Sequence, residues 1–157
     1  MIGKLNYLAQ CTHPDIVYAM HQCVRFSSNA RKEETDAVEY IDCYLKGNYD
    51  LDLSFKPDIS KSFECFADAD YGGNWSRSFS ERDPPTAKSC LSWMITYAGC
   101  PIIWASKLNT HVATSTTMSE HIALSSALRA VIPIMELMDE LKDRGYGLII
   151  TEPIVYC

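Results

Sequence analysis

Apolar residues recur at two different periods along this chain, and the change of period divides it. Ile16, Ala19, Met20, Cys23 and Val24 fall at i, i+3, i+4, i+7 and i+8, one face of a helix. Thr12 stands where it can cap that helix, with Pro14 in the first turn and Asp15 where a carboxylate faces free N–H groups. Ser27-Ser28-Asn29 stops it. A second helix is predicted from about Arg31 to Lys46, with Val38, Ile41 and Leu45 on one face and Gly47-Asn48 as a left-handed stop. The period then becomes two. Leu51, Leu53 and Phe55 alternate with Asp52 and Ser54 and read as a strand.

Lys56–Ser62 reads as a turn or linker, and Phe63–Ala67 as a strand ending at Asp68-Ala69-Asp70. Tyr71–Thr86 is rich in Gly, Ser, Asn, Arg and Pro and reads as a loop. Ser92–Ala98 and Ile102–Ser106 read as strands joined by a hairpin at Gly99-Cys100-Pro101. A helix is predicted from near Thr117 to about Val131. Pro133 starts or kinks the next one, whose buried face is Ile134, Leu137, Met138 and Leu141. Gly145 and Gly147 end it, and Ile154–Cys157 closes as a strand. The order strand, strand, strand, helix, helix, strand predicts an α/β fold. The first three strands form an antiparallel meander, and the last returns by a crossover, parallel to the first and beside it.

Composition narrows the reading. A 47% hydrophobic content over 157 residues supports a real core and argues against disorder. The net charge is −6, and neither half of the chain is basic, so there is no bulk electrostatic footprint for nucleic acid. Seven cysteines, an odd count without a CxxC, fit a reducing compartment better than a disulfide framework. Met1-Ile2-Gly3-Lys4 lacks the length and flanks of a secretory leader, so Asn74-Trp75-Ser76 reads as an accidental sequon. No apolar stretch approaches the roughly 18 residues of a membrane span. The expected location is therefore intracellular, cytoplasmic or nuclear, with no membrane partner.

Three carboxylates carry the candidate chemistry. Asp68 and Asp70 stand two apart at a strand end and share a face. Glu120 is expected in the first turn of a helix. Clustered carboxylates are what hard divalent cations require. Two such ions about 4 Å apart can clamp the attacking and leaving oxygens of a phosphodiester, which takes three or four carboxylates. Each residue also has a plainer role. Asp68-Ala69-Asp70-Tyr71-Gly72-Gly73 fits a strand end with Asx-type turn chemistry. It does not fit an EF-hand, which would need Glu where Phe79 stands. Thr117-x-x-Glu120 matches a capping box. Cys11-x-His13 and His21-x-Cys23 are poor zinc pairs, because residues two apart do not share a helix face. His111 and His121 lack a motif that ties them to a nucleophile.

The order and wording of these pieces resemble the copia-type retrotransposon Pol polyprotein. Residues 1–56 resemble the segment joining reverse transcriptase to ribonuclease H, through Gly3-Lys4-Leu5-Asn6-Tyr7-Leu8, Pro14-Asp15-Ile16 and Tyr44-Leu45-Lys46-Gly47. Residues 57–157 resemble its ribonuclease H domain, through Asp68-Ala69-Asp70-Tyr71-Gly72-Gly73, Trp104-Ala105-Ser106-Lys107 and Ser115–Leu124. The wording departs in places. His13 replaces an Arg, Cys90-Leu91 a small-residue turn, Met118-Ser119 a Glu-Ala pair, and His121 a Tyr.

The resemblance implies a ribonuclease H-like fold and a Mg²⁺-dependent endonuclease that cuts RNA in RNA–DNA hybrids. Such domains read A-form shape and 2′-hydroxyls rather than sequence. By motif, Asp68 and Glu120 take the catalytic and metal-ligating positions, and Asp70 is a supporting or structural group. In that family a catalytic aspartate directly follows the strand matching Ile154–Cys157, with a further helix beyond. The resemblance thus implies a domain truncated at its C-terminus, with an incomplete catalytic set and weak metal and hybrid binding. The alternative is a non-catalytic remnant reused as a binding or structural module.

Overall fold

The computed structural model describes residues 1–25, 32–51, 53–73, 75–77, 84–148 and 154–157. Arg31, Asp52, Asn74, Phe79 and the Ser27-Ser28-Asn29 stop lie outside the described residues. The chain divides into two compact units, Met1–Phe55 and Lys56–Cys157.

The first unit is helical: α1 (Ile2–Cys11), a 3₁₀ turn (Pro14–Ile16), α2 (Val17–Arg25) and α3 (Lys32–Gly47). Leu5 and Ala9 of α1, Ile16, Met20 and Cys23 around α2, and Val38 and Ile41 of α3 form one core, with Ala19 and Leu45 packed against it. The faces read from the apolar spacing are those that pack, except that Val24 is exposed. Two local readings are corrected. Thr12 is the C-cap of α1 rather than the N-cap of α2, and its hydroxyl donates to the Leu8 carbonyl at 3.4 Å. The stop after α3 is made by a side chain. Asn48 Nδ2 donates to the Tyr44 carbonyl at 2.9 Å, and Gly47 remains helical without a positive φ. Tyr44 Oη donates to the Asp15 carboxylate at 2.9 Å and ties the 3₁₀ turn to α3. That bond to an anion raises the Tyr44 phenol above its ordinary value.

Leu51 and Leu53–Phe55 are not in a strand, and Leu51 and Phe55 are exposed. Alternation favours a strand only where one face has a surface to cover and the backbone has a partner to pair with. No strand among the described residues pairs with this segment.

The second unit is a four-stranded sheet with a long helix on one face. Its elements are β1 (Phe63–Asp70), β2 (Cys90–Tyr97), β3 (Cys100–Leu108), α4 (Thr116–Asp143) and β4 (Ile154–Tyr156). The sheet order is β3-β2-β1-β4, with β1–β2 and β2–β3 antiparallel and β4 parallel to β1. The meander and the parallel returning strand are as the periodicity predicts. The hairpin turn is Ala98-Gly99 rather than Gly99-Cys100-Pro101, because Tyr97 pairs with Cys100. Both turn residues have positive φ (52° and 73°), the conformation whose twist matches a two-residue hairpin.

The two helices predicted after β3 are one. Ala127, Val131, Ile134 and Met138 keep a helical spacing across Pro133 and pack on Phe63, Cys65, Ala67 and Ile95. Proline removes the bond to the carbonyl four residues back, that of Arg129. Pro133 and Arg129 are both exposed, so water can take that carbonyl. Leu137, expected inside, is also exposed. Because the two segments fuse, α4 is long and apolar enough, by length and composition alone, to cross a membrane. That corrects the expectation that no stretch qualifies. Here Ser119, Ala123, Ala127 and Val131 are buried. Gly145 ends the helix: its N–H donates to Lys142 and that of Tyr146 to Leu141, a Schellman arrangement.

Candidate functional site

The alternation of β1 decides where its carboxylates stand. Phe63, Cys65 and Ala67 are buried in the core beneath α4. Phe66, Asp68 and Asp70, one residue out of phase, are exposed on the opposite face. Asp68 pairs with Ser92, and Ser92 with Ser106, so a polar row crosses three strands of that face. Beside it Phe66 stacks on Tyr156 of β4, with ring centroids 5.0 Å apart and planes 10° from parallel. Burial pushes the Cys65 thiol up on the other face, and Cys157 adds to the shift.

Asp70 has a local occupation. A Cβ on Gly73 would run into the Asp70 carboxylate, so the side chain lies directly over the glycine backbone. Trp75 N–H donates to the Gly72 carbonyl at 2.8 Å and closes the following turn. This is a strand end with turn chemistry. A side chain at 73 would have to displace the exposed Asp70 carboxylate.

Glu120 belongs to α4, which covers the face that Asp68 does not share. The helix starts at the end of the sheet where β1 and β3 finish, so Asp68, Asp70 and Glu120 stand at one end of the fold. Glu120 is exposed. The capping-box reading of Thr117-x-x-Glu120 is corrected. The N-cap is Ser115, whose Oγ accepts from Met118 N–H at 3.1 Å. Glu120 is therefore the fifth helical residue, beyond the reach of the cap. Among the described residues, no three His, Cys, Asp or Glu side chains converge as a metal ion needs.

His13 Nδ1 lies 3.5 Å from the Asp15 carboxylate, and Cys11 is exposed. His13 thus faces the carboxylate that ties the turn to α3. His21 is partly buried in the helical unit. Desolvation, and then the Arg25 charge, hold its pKa below the ordinary 6.5.

The sequence reading missed a second group of residues. A cavity of about 830 Å³ lies between the start of α4 and the ends of β2 and β3. Its walls include Lys107, Asn109, His121 and Arg129. Lys107 stands in the Trp104–Lys107 motif, but no spacing signal links it to Arg129.

Over 156 residues the chain is 34% identical to the retrovirus-related Pol polyprotein from transposon TNT 1-94 of Nicotiana tabacum, a match covering 99% of this chain and 11% of that protein. It is 28% identical over 158 residues to the Pol polyprotein from transposon RE1 of Arabidopsis thaliana, covering 100% of this chain and 10% of that protein. The chain thus spans about a tenth of the length of these relatives. It is also 25% identical over 131 residues to secreted RxLR effector protein 161 of Plasmopara viticola, covering 83% of this chain and 86% of that protein. No family model matches. No solved structure matches.

Proposed function

Because this chain is a homologue of retrovirus-related Pol polyproteins of copia-type transposons, we propose that Lys56–Cys157 is the ribonuclease H-like segment of such a polyprotein. Met1–Phe55 is then the helical segment that joins it to reverse transcriptase. One observation carries the reading. An antiparallel meander is followed by a helix and by a strand that returns parallel beside β1, and an acidic pair ends β1. The substrate class implied is an RNA–DNA hybrid.

The described residues do not fit the divalent-metal centre that such cleavage calls for. Mg²⁺ demands a near-octahedral oxygen shell and gains little from isolated carboxylates. Asp68 faces away from α4, Asp70 is laid over Gly73, and Glu120 rises from the helix on the other face. In this reading Asp68 and Glu120 occupy the positions of the family's metal ligands, and the chain by itself does not cut.

A second reading is favoured by one finding. The match to the Plasmopara viticola effector covers most of that protein, so a segment of this extent also occurs outside a Pol polyprotein. The chain would then be a non-catalytic module.

The test is cleavage of a labelled RNA–DNA hybrid by purified chain in Mg²⁺ or Mn²⁺, beside Asp68→Asn. The expected result is no turnover above the variant. Turnover that Asp68→Asn abolishes would overturn the non-cutting reading. Low-salt binding to the hybrid but not to duplex DNA supports the Pol reading, and equal or absent binding favours the module.

A further inference from the structure

We propose that the cavity between the start of α4 and the ends of β2 and β3 binds a small phosphorylated ligand of nucleoside-monophosphate size. The phosphate would sit against Lys107, Asn109 and Arg129, and the organic body on Leu91, Met118 and Ile122. The proposal goes beyond the nuclease reading and uses neither Asp68, Asp70 nor Glu120.

The first argument is charge. The protein carries 20 acidic residues against 14 basic ones. Yet the described residues lining this cavity include Lys107, Arg129 and His121 and no carboxylate. Lys107 pairs with Leu91 and so stands on the face covered by α4. His121, Ser125 and Arg129 follow at intervals of four, which sets them as one stripe along the helix. Cations from two different elements therefore line one space. An ammonium and a planar guanidinium together supply the several donors that a tetrahedral phosphate accepts.

The second argument is an unused donor. Asn109 is only 5% exposed and lines the cavity. Its Oδ1 accepts from His111 N–H at 3.4 Å, which turns the Nδ2 end the other way. That Nδ2 has no hydrogen-bond partner. The Asn109 backbone N–H donates to the Ser89 carbonyl at 2.8 Å, and the buried Ser89 Oγ is likewise unpartnered. A buried amide donor without a partner is costly unless something else pairs with it. Asn109 Nδ2 is itself buried, so it meets an anion in the cavity only when the side chain turns toward it.

The third argument is size and wall chemistry. A volume of about 830 Å³ lies in the range of ligand cavities. Leu91, Met118 and Ile122 give the organic part an apolar bed. Inorganic phosphate would use only the polar wall, so a phosphate joined to a hydrophobic or planar body fits better.

The experiment is calorimetric titration of the purified chain with adenosine 5′-monophosphate, adenosine, inorganic phosphate and a short RNA–DNA hybrid, at low and high salt. The expected result is saturable binding of the monophosphate, weaker binding of phosphate, none of adenosine, and weakening as salt rises. Lys107→Gln and Arg129→Gln should each lower the monophosphate affinity by about tenfold. These exposed positions should leave the fold intact, which the thermal midpoint checks. Asp68→Asn should leave the affinity unchanged. No monophosphate binding, or binding unchanged in Lys107→Gln and Arg129→Gln, would overturn the proposal. So would hybrid binding lost in those variants without any monophosphate binding. Hybrid cleavage dependent on Asp68 bears on the nuclease reading alone, so the two can fail separately.

Discussion

Phe63 and Phe66 stand three residues apart in one strand and do opposite things. Phe63 is 2% exposed and packs beneath α4, while Phe66 is 38% exposed and stacks on Tyr156. The same comparison holds for the faces that they mark. One carries Cys65, Ala67 and Ile95 in a closed core, and the other carries Asp68, Asp70 and a polar row through Ser92 and Ser106. Strand alternation therefore separates the residues that stabilise this domain from those suspected of chemistry. Substitutions at Phe63, Cys65 and Ile95 should read out in stability; on the other face Cys90, Trp104 and Ser106 are buried as well, so there only the exposed Phe66, Asp68 and Asp70 should leave stability nearly unchanged.

The largest expected effect tests that separation directly. Phe63→Ala should destabilise the chain by about 3–5 kcal/mol, the usual cost of emptying an aromatic core site. Phe66→Ala should cost under about 1 kcal/mol, the scale of an exposed aromatic pair. Denaturant unfolding of both variants checks this, and equal losses would mean that the face of Phe66 is covered as well.

The next effect concerns the start of α4. Ser115→Ala should cost about 1 kcal/mol, because the Met118 N–H loses its acceptor. Thr117→Ala should cost far less, since Thr117 is already inside the helix. The reverse order in thermal unfolding would restore the Thr117–Glu120 capping box.

Smaller still is Asp68→Asn, expected within about 0.5 kcal/mol of the native chain by denaturant unfolding. A large loss would make Asp68 a structural residue and break the division between the faces.

The last effect is acid loosening confined to the helical unit, which would leave both faces of the sheet unchanged. His21 has a folded-state pKa below 6.5, so the unfolded chain binds its proton more readily. Its contribution to stability is therefore present above pH 6.5 and lost as pH falls through the lowered folded value. Protection factors of α2 amides should drop on acidification in the native chain and much less in His21→Gln. An identical drop in the variant would assign the effect to another group.

The sequence made the sheet legible because each of its signals is local and answers to a buried face. Phe63, Cys65 and Ala67 alternate, and Ala98-Gly99 marks the reversal within one residue of its predicted place. Leu51–Phe55 carries the same alternation, but among the described residues it has no partner strand, which sequence period cannot report. Pro133 misled for a related reason. The packing of Ala127, Val131 and Ile134 on the sheet outweighs one lost backbone bond at an exposed turn. The acidic pair was legible as to face, since period two fixes it. What was not legible is that α4 takes the other face. The cavity left no signal, because Lys107, Asn109 and Arg129 come to line one space only once β3 and α4 are folded together.

The parallel pairing of β4 bears on the order of assembly. β1, β2 and β3 are joined by local connections, whereas Ile154–Tyr156 must find Glu64–Phe66 across nearly the whole second unit. Contacts between residues so distant in sequence close a long loop before any pairing is gained, so they form slowly. Among the described residues, three residue pairs hold β4 in register. The meander and α4 should thus gather first around Phe63 and Ile95, with β4 docking onto a framework already in place. In refolding followed by pulsed hydrogen exchange, the amides of β4 are expected to gain protection last.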